Sequence, residues 1–196
     1  MVRLTRWFAA AALAAPLSLP VPATAEVTLW REVSGWDISF YPNLEGCSAF
    51  TIYEEGTNFF IGFQKIEGVH YLAITLMDDD WASIEAGKEY VIRATFGDES
   101  PWTLDMDGEV YGSTPGLTGL FALDETDLLV DEFQRELRME WSYSGVSLGL
   151  FTLRGSRRAF DEVVACQTSY NEAVASSADP FATGTKRPGP RDPFAD

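Results

Sequence analysis

The stretch that decides the fold is Phe59-Phe60-Ile61-Gly62-Phe63-Gln64-Lys65-Ile66-Glu67-Gly68-Val69-His70-Tyr71-Leu72-Ala73-Ile74-Thr75-Leu76-Met77. Two runs rich in aromatic and β-branched residues flank Glu67-Gly68. Such runs suit the pleated, half-buried surface of a sheet. A two-residue link ending in Gly joins neighbouring strands tightly, because Gly accepts the positive φ that the turn demands. An antiparallel pair over residues 59–77 is therefore the seed of the fold.

Working toward the N-terminus, Gly56-Thr57-Asn58 turns back into an alternating run from Cys47 to Tyr53. Pro42-Asn43 turns again into the alternating Trp36-Asp37-Ile38-Ser39-Phe40, so this half reads as a meander. Toward the C-terminus, residues 78–87 form a connection and Lys88 to Phe96 a strand. Asp107-Gly108 reads as a tight hairpin between Trp102–Met106 and Glu109–Tyr111, and residues 112–119 as a loop. Residues 125–136 carry helical spacing, with Leu128, Leu129 and Phe133 on one face and acids at the start. Leu137–Tyr143 and Val146–Leu153 form a hairpin about Ser144-Gly145. A second helix follows over 157–168, with Ser156 as its cap and Ala159, Phe160, Val163, Val164 and Cys166 as its apolar stripe. The expectation is an α+β chain, mainly antiparallel β: a sandwich or flattened barrel with one short helix before the last hairpin and one at the C-terminal end.

The ends differ in character from this body. Arg3 and Arg6, an apolar run from Trp7 to Leu19, two prolines and Ala23-Thr24-Ala25 make the three parts of a secretory signal, with cleavage expected after Ala25. The apolar run is too short to cross a bilayer, which takes about 20 residues. Residues 26–170 form the globular domain. Residues 171–196 are an acidic, Pro-rich tail whose composition leaves it disordered. The tail repeats Asp179-Pro180-Phe181-Ala182 as Asp192-Pro193-Phe194-Ala195. As a functional signal, the repeat would set Phe181 and Phe194 against a partner. As composition, it is a biased linker, the reading the sequence favours.

Cleavage after Ala25 leaves 12 of the 14 cations against all 30 acids, a net charge of −18. A surface of that sign repels phosphate backbones, so nucleic acid is excluded as a partner. No later run is apolar enough to be a transmembrane helix. In a periplasmic or secreted protein the two cysteines, Cys47 and Cys166, read as a disulfide tying the beginning of the domain to its end.

Signals of chemistry are few. Gly145-Val146-Ser147-Leu148-Gly149 matches a nucleophile elbow in letters, but it lies in a hairpin, and the one histidine, His70, lies upstream. Asp105-Met106-Asp107-Gly108 resembles part of a calcium loop, yet the position for the closing carboxylate is Thr114. Asp78, Asp79 and Asp80 are weak candidates for a metal and read better as a solvated acidic loop. No catalytic residue and no cofactor are assigned. Of the tryptophans that follow the signal, Trp36 and Trp141 are expected in the core. Trp81 and Trp102, beside acidic loops, are the candidates for partner contact.

Gly35-Trp36-Asp37-Ile38, the early Cys47, Glu85-Ala86-Gly87-Lys88 and the closing Leu153-Arg154-Gly155-Ser156, Ala159 and Cys166 together resemble small exported bacterial proteins of the invasion-associated locus B type. The resemblance implies a β-sandwich-like body ending in a helix and a role at the cell envelope. It brings no catalytic residue with it. The functional expectation is an exported, non-enzymatic binding protein of the periplasm or cell envelope, acting on a protein or envelope component. Its alternatives are a carboxylate-based hydrolase, with loops 78–87 and 98–119 around a cleft, and a carrier of a small ligand in a barrel mouth.

Overall fold

The computed structural model describes residues 26–177. The proposed signal segment and the Phe181 and Phe194 repeats lie outside these residues. The described chain is α+β and mostly antiparallel β, with a single ten-stranded sheet and two α-helices. The strands are β1 (Thr28–Val33), β2 (Trp36–Tyr41), β3 (Gly46–Ile52), β4 (Asn58–Ile66), β5 (Val69–Met77), β6 (Glu89–Phe96), β7 (Trp102–Tyr111), β8 (Thr114–Ala122), β9 (Arg138–Tyr143) and β10 (Val146–Thr152). Helix α1 is Asp127–Arg135 and α2 is Ser156–Ser177. No helix among the described residues is long and apolar enough to cross a membrane.

The seed hairpin forms as its letters demand. β4 and β5 pair from Asn58↔Met77 to Ile66↔Val69, and Glu67 and Gly68 both hold positive φ, 50° and 86°. Ser34-Gly35 and Ser144-Gly145 repeat that geometry between β1 and β2 and between β9 and β10. The strand order is β1-β2-β3-β4-β5-β8-β7-β6-β9-β10: β1 to β5 form a meander, β5 pairs β8, and the run β8-β7-β6 is extended by the β9–β10 hairpin where β6 pairs β9. The sheet folds over onto itself. Tyr53, just after β3, stacks on Phe151 of β10 with ring centroids 4.5 Å apart, and Phe59 of β4 meets Trp141 of β9 at 6.3 Å. One apolar core fills the space between the halves and runs under both helices.

Both edge strands carry an extra residue. Trp30 bulges from β1 between Leu29 and Arg31, and Leu148 bulges from β10 between Ser147 and Gly149. Bulges twist an edge away from further pairing and re-aim a side chain. Helix α2 is tied to β1 through Glu162, whose carboxylate accepts from both Trp30 and Arg31, at 3.2 and 2.7 Å.

Several expectations are corrected. Asp107-Gly108 is no turn: β7 runs straight through it, and β8 occupies most of the expected loop, from Thr114 onward. Gly108 is there for closeness, since a Cβ would come within 2.3 Å of the Glu85 carbonyl oxygen. It exchanges backbone hydrogen bonds with the connection before β6, donating to Lys88 and accepting from Gly87, each at 2.8 Å. Backbone pairing overrode the turn signal. On α1 the buried side chains are Leu129, Glu132 and Phe133, while Leu128 faces outward. On α2 Val164 is likewise exposed. Ser156 does not cap its own helix. Its hydroxyl donates to the Phe133 carbonyl at 2.7 Å, closing one of the carbonyls that the last turn of α1 leaves open. Helix α2 also runs to Ser177, past the composition change at Tyr170.

Candidate functional site

Cys47 and Cys166 are bonded, with Cα atoms 6.0 Å apart, pinning α2 to β3. Beside the bridge lies a buried amide that the sequence did not announce. Gln167 accepts the Cys47 backbone N–H at 2.9 Å and donates to Asn171 Oδ1 at 3.1 Å. Its amide nitrogen also lies 3.3 Å from His70 Nε2, so His70 is a structural neighbour of the bridge rather than part of a hydrolytic set with Ser147.

An open cleft of about 700 Å³ lies at one end of the rolled sheet. One wall is the connection 78–88, the other the β9–β10 hairpin, and the floor is made by Tyr90 and Ile92 of β6 and Leu117 of β8. The connection is a braced strap. Asp78 is buried, its carboxylate accepting the Thr57 hydroxyl at 2.7 Å and the Asp80 N–H at 3.0 Å. Asp79 accepts the Thr114 hydroxyl at 2.7 Å. Backbone bonds from Trp81 to Asp78 and from Ile84 to Trp81 tighten the strap into successive turns. The Tyr90 hydroxyl accepts the Glu85 N–H at 2.9 Å, so the strap is held to the cleft floor as well.

The charged groups of the strap thus have definite work. Asp78 and Asp79 hold turns, and among the described residues no cluster of three His, Cys, Asp or Glu stands ready for a metal ion. Lys88 pairs with Glu85 at 2.6 Å and lies 5.4 Å from the centre of the Tyr90 ring. The hydrogen bond that Lys88 donates to Glu85, and then the Glu85 charge, hold the Lys88 ammonium above its ordinary range. The lining that remains is apolar and aromatic: Trp81, Ile84, Tyr90, Tyr143, Val146 and Leu148. Tyr90 and Tyr143 meet edge to face at 5.5 Å. Leu148 is the bulged residue of β10, so the irregularity of that edge supplies a side chain to the cleft wall.

Of the expected contact residues, Trp81 lines this cleft, half-buried. Trp102 does not. It packs beside α1, donating its indole N–H to the buried Glu132 carboxylate at 2.6 Å. Asp98 and Glu99 turn the same way, pairing with Arg138 at the start of β9 and with Arg135 at the end of α1. The second wall of the cleft is the β9–β10 hairpin, and of residues 98–119 Leu117 reaches the cleft, in its floor. Tyr143, Val146 and Leu148 were legible as strand residues, but nothing local marks them as facing the strap. Trp36 and Trp141 are buried, as expected. Comparison with protein-family models, with curated proteins and with solved structures finds no match to this chain.

Proposed function

We propose that the chain is an exported binding protein that takes a small, mainly apolar ligand into the cleft between residues 78–88 and the β9–β10 hairpin. The observation that carries this reading is the cleft itself. Its volume of about 700 Å³ lies in the range of about 300–1,000 Å³ used by small-molecule sites, and its walls are aromatic and aliphatic with a few polar groups at the rim. Trp81, Tyr90 and Tyr143 supply flat faces suited to a ring or a short acyl chain. Export is supported by the charged, apolar and small-residue sequence of positions 1–25 and by a disulfide, which persists in oxidising compartments. The envelope role implied by the resemblance belongs to the same proposal.

A carboxylate-based hydrolase is the weaker reading. Two carboxyls must flank the bond to be broken. The carboxyls at this cleft, Asp80 and Glu85, both come from the strap, and Glu85 is engaged by Lys88. The test is titration of the purified chain with the neutral fluorescent probe N-phenyl-1-naphthylamine. One saturable site is expected, weakened at least about tenfold by Val146→Glu at the exposed lip or by Leu148→Glu in the wall. Saturable uptake unaffected by either variant, or no saturable uptake, overturns the proposal.

A further inference from the structure

The outer face of the sheet, on the side away from the core, carries a pocket of about 220 Å³ that shares no lining residue with the cleft. Its floor follows from the strand pairing. Ser48, Gly62 and Ala73 stand side by side on β3, β4 and β5, alternating with the core residues Cys47, Ala49, Ile61, Leu72 and Ile74. Small side chains in that row leave room above it. A side chain at Gly62 would take the room away, because its Cβ would come within 2.4 Å of Ser48 Oγ. Aromatic rings wall the space. Tyr41 and Phe60 meet edge to face at 6.2 Å, and Tyr111 reaches the pocket from β7.

Floor and walls carry polar groups that the fold leaves open. Ser48 is only 5 % exposed, and its hydroxyl has no hydrogen-bond partner among the described residues. The fully enclosed side-chain polar atoms without such a partner are the Tyr53 hydroxyl and the Trp141 indole nitrogen. The Ser48 hydroxyl therefore keeps some open surface, and the space it opens on is this pocket. On the wall, Thr75 Oγ1 lies 3.0 Å from Thr118 Oγ1, which also bonds the Tyr111 hydroxyl. Two bonds among three hydroxyls leave one of their three protons unused. When the chain of bonds runs in one direction, that proton is on Thr75 or on Tyr111, and both line the pocket. The Gln64 amide, also in the lining, has no hydrogen-bond partner among the described residues and adds a donor and an acceptor.

Charge narrows the class of ligand. Residues 26–177 hold 27 acids against nine cations, yet no charged side chain among them lines this pocket. A charged ligand would give up its water here and find no counter-ion. A purely apolar ring would bury the Ser48 hydroxyl and the spare wall proton without partners, at the cost of an unmade hydrogen bond for each. A sugar ring meets both demands. Its C–H face suits the negative face of an aromatic ring, and its edge carries hydroxyls that donate and accept.

We infer that the outer pocket binds one ring of a neutral saccharide, with the C–H face of the sugar against the Tyr41 and Phe60 rings and its hydroxyls on Ser48, Gln64 and the Thr75–Thr118–Tyr111 chain. Ser48, Phe60, Gln64 and Thr75 sit on paired strands, so their positions are set before the sugar arrives. The volume has room for a single ring. This site and the cleft at the end of the sheet take different chemistry through different residues. Loss of probe binding in the cleft leaves this inference untouched.

The test titrates the ¹⁵N-labelled intact chain with the methyl glycosides of glucose, galactose, mannose and N-acetylglucosamine. The methyl glycosides of glucuronate and glucosamine serve as charged rings of similar size. Amide signals of Ser48, Phe60, Gln64 and Thr75 are expected to shift saturably, in the millimolar range, with at least one neutral glycoside. The charged rings should bind at least about fivefold more weakly. Ser48→Ala and Gln64→Ala should each weaken the neutral glycoside at least about threefold while signals remote from the pocket stay in place. Phe60→Leu, which keeps an apolar side chain and removes the flat face, should do the same. No saturable shift with any neutral glycoside overturns the inference, as does equal binding of the charged rings or binding unchanged in all three variants. Tighter binding of p-cresol than of every glycoside at these amides would assign the pocket to apolar rings and overturns it too.

Discussion

The indole N–H of Trp36 donates to the Arg154 carbonyl at 3.1 Å, across 118 residues of sequence. Trp36 begins β2 and Arg154 follows β10, so this bond joins the two ends of the rolled sheet. Packing agrees with it: a Cβ on Gly155 would lie 2.5 Å from the Ser34 Cβ. The Trp36 ring also meets Phe59 at 6.1 Å and Phe133 at 5.7 Å.

Trp36→Phe keeps an aromatic ring in the core and removes the donor. The Arg154 carbonyl loses its partner where water reaches poorly, so the variant should lose about 1–3 kcal/mol. Urea denaturation measures this, and a loss below about 0.5 kcal/mol would show that the bond does not hold the roll together.

The Cys47–Cys166 bridge closes a loop with a sequence separation of 119. Chain entropy sets an upper stabilisation of about 4–5 kcal/mol for a loop of that length. Reduction should lower the melting temperature, and Cys47→Ala/Cys166→Ala should match the reduced protein. Equal melting temperatures with and without reductant, once free thiols are confirmed, would contradict the prediction.

The half-buried Trp102 and the buried Glu132 form a donor–acceptor pair between β7 and α1. Trp102→Phe leaves a carboxylate buried without its donor and should cost about 2–3 kcal/mol. Glu132→Gln retains an acceptor oxygen and should cost less. The order of the two losses in thermal denaturation is the check, and the reverse order would mean that packing of the indole, not its hydrogen bond, dominates.

The Tyr53 hydroxyl and the Trp141 indole nitrogen are buried without a hydrogen-bond partner among the described residues. Burial pushes the Tyr53 phenol well above its ordinary range. Tyr53→Phe removes a desolvated hydroxyl while leaving the stack on Phe151, and is expected to be neutral or to stabilise by about 1 kcal/mol. A loss of 1 kcal/mol or more in denaturant unfolding would reveal a partner for that hydroxyl.

Sequence reading succeeded where short-range physics decides. Glu67-Gly68 and Ser144-Gly145 turn as their residue types require, and the alternation at the start of β2 and along Trp102–Met106 of β7 has its buried face where the letters place it, while on β3 Ser48 is buried together with Cys47 and Ala49. It failed at Asp107-Gly108, where long-range backbone pairing to Gly87 and Lys88 prevailed over a local turn preference. It failed at Ser156, whose hydroxyl found a carbonyl from another helix. Trp102 was read from its acidic neighbours as exposed, and its partner, Glu132, lies 30 residues away.

The sequence by itself determined that this chain is a sheet-rich α+β protein with two helices, because strand alternation, turn residues and helical spacing are local properties of the letters. Only the tertiary structure decided that ten strands form one sheet folded upon itself, that a bulge turns Leu148 toward the strap 78–88, and that Tyr90 and Tyr143 share a floor and wall. Those relations depend on which strands become neighbours. That is settled by burying one common core, and no window of adjacent residues contains it.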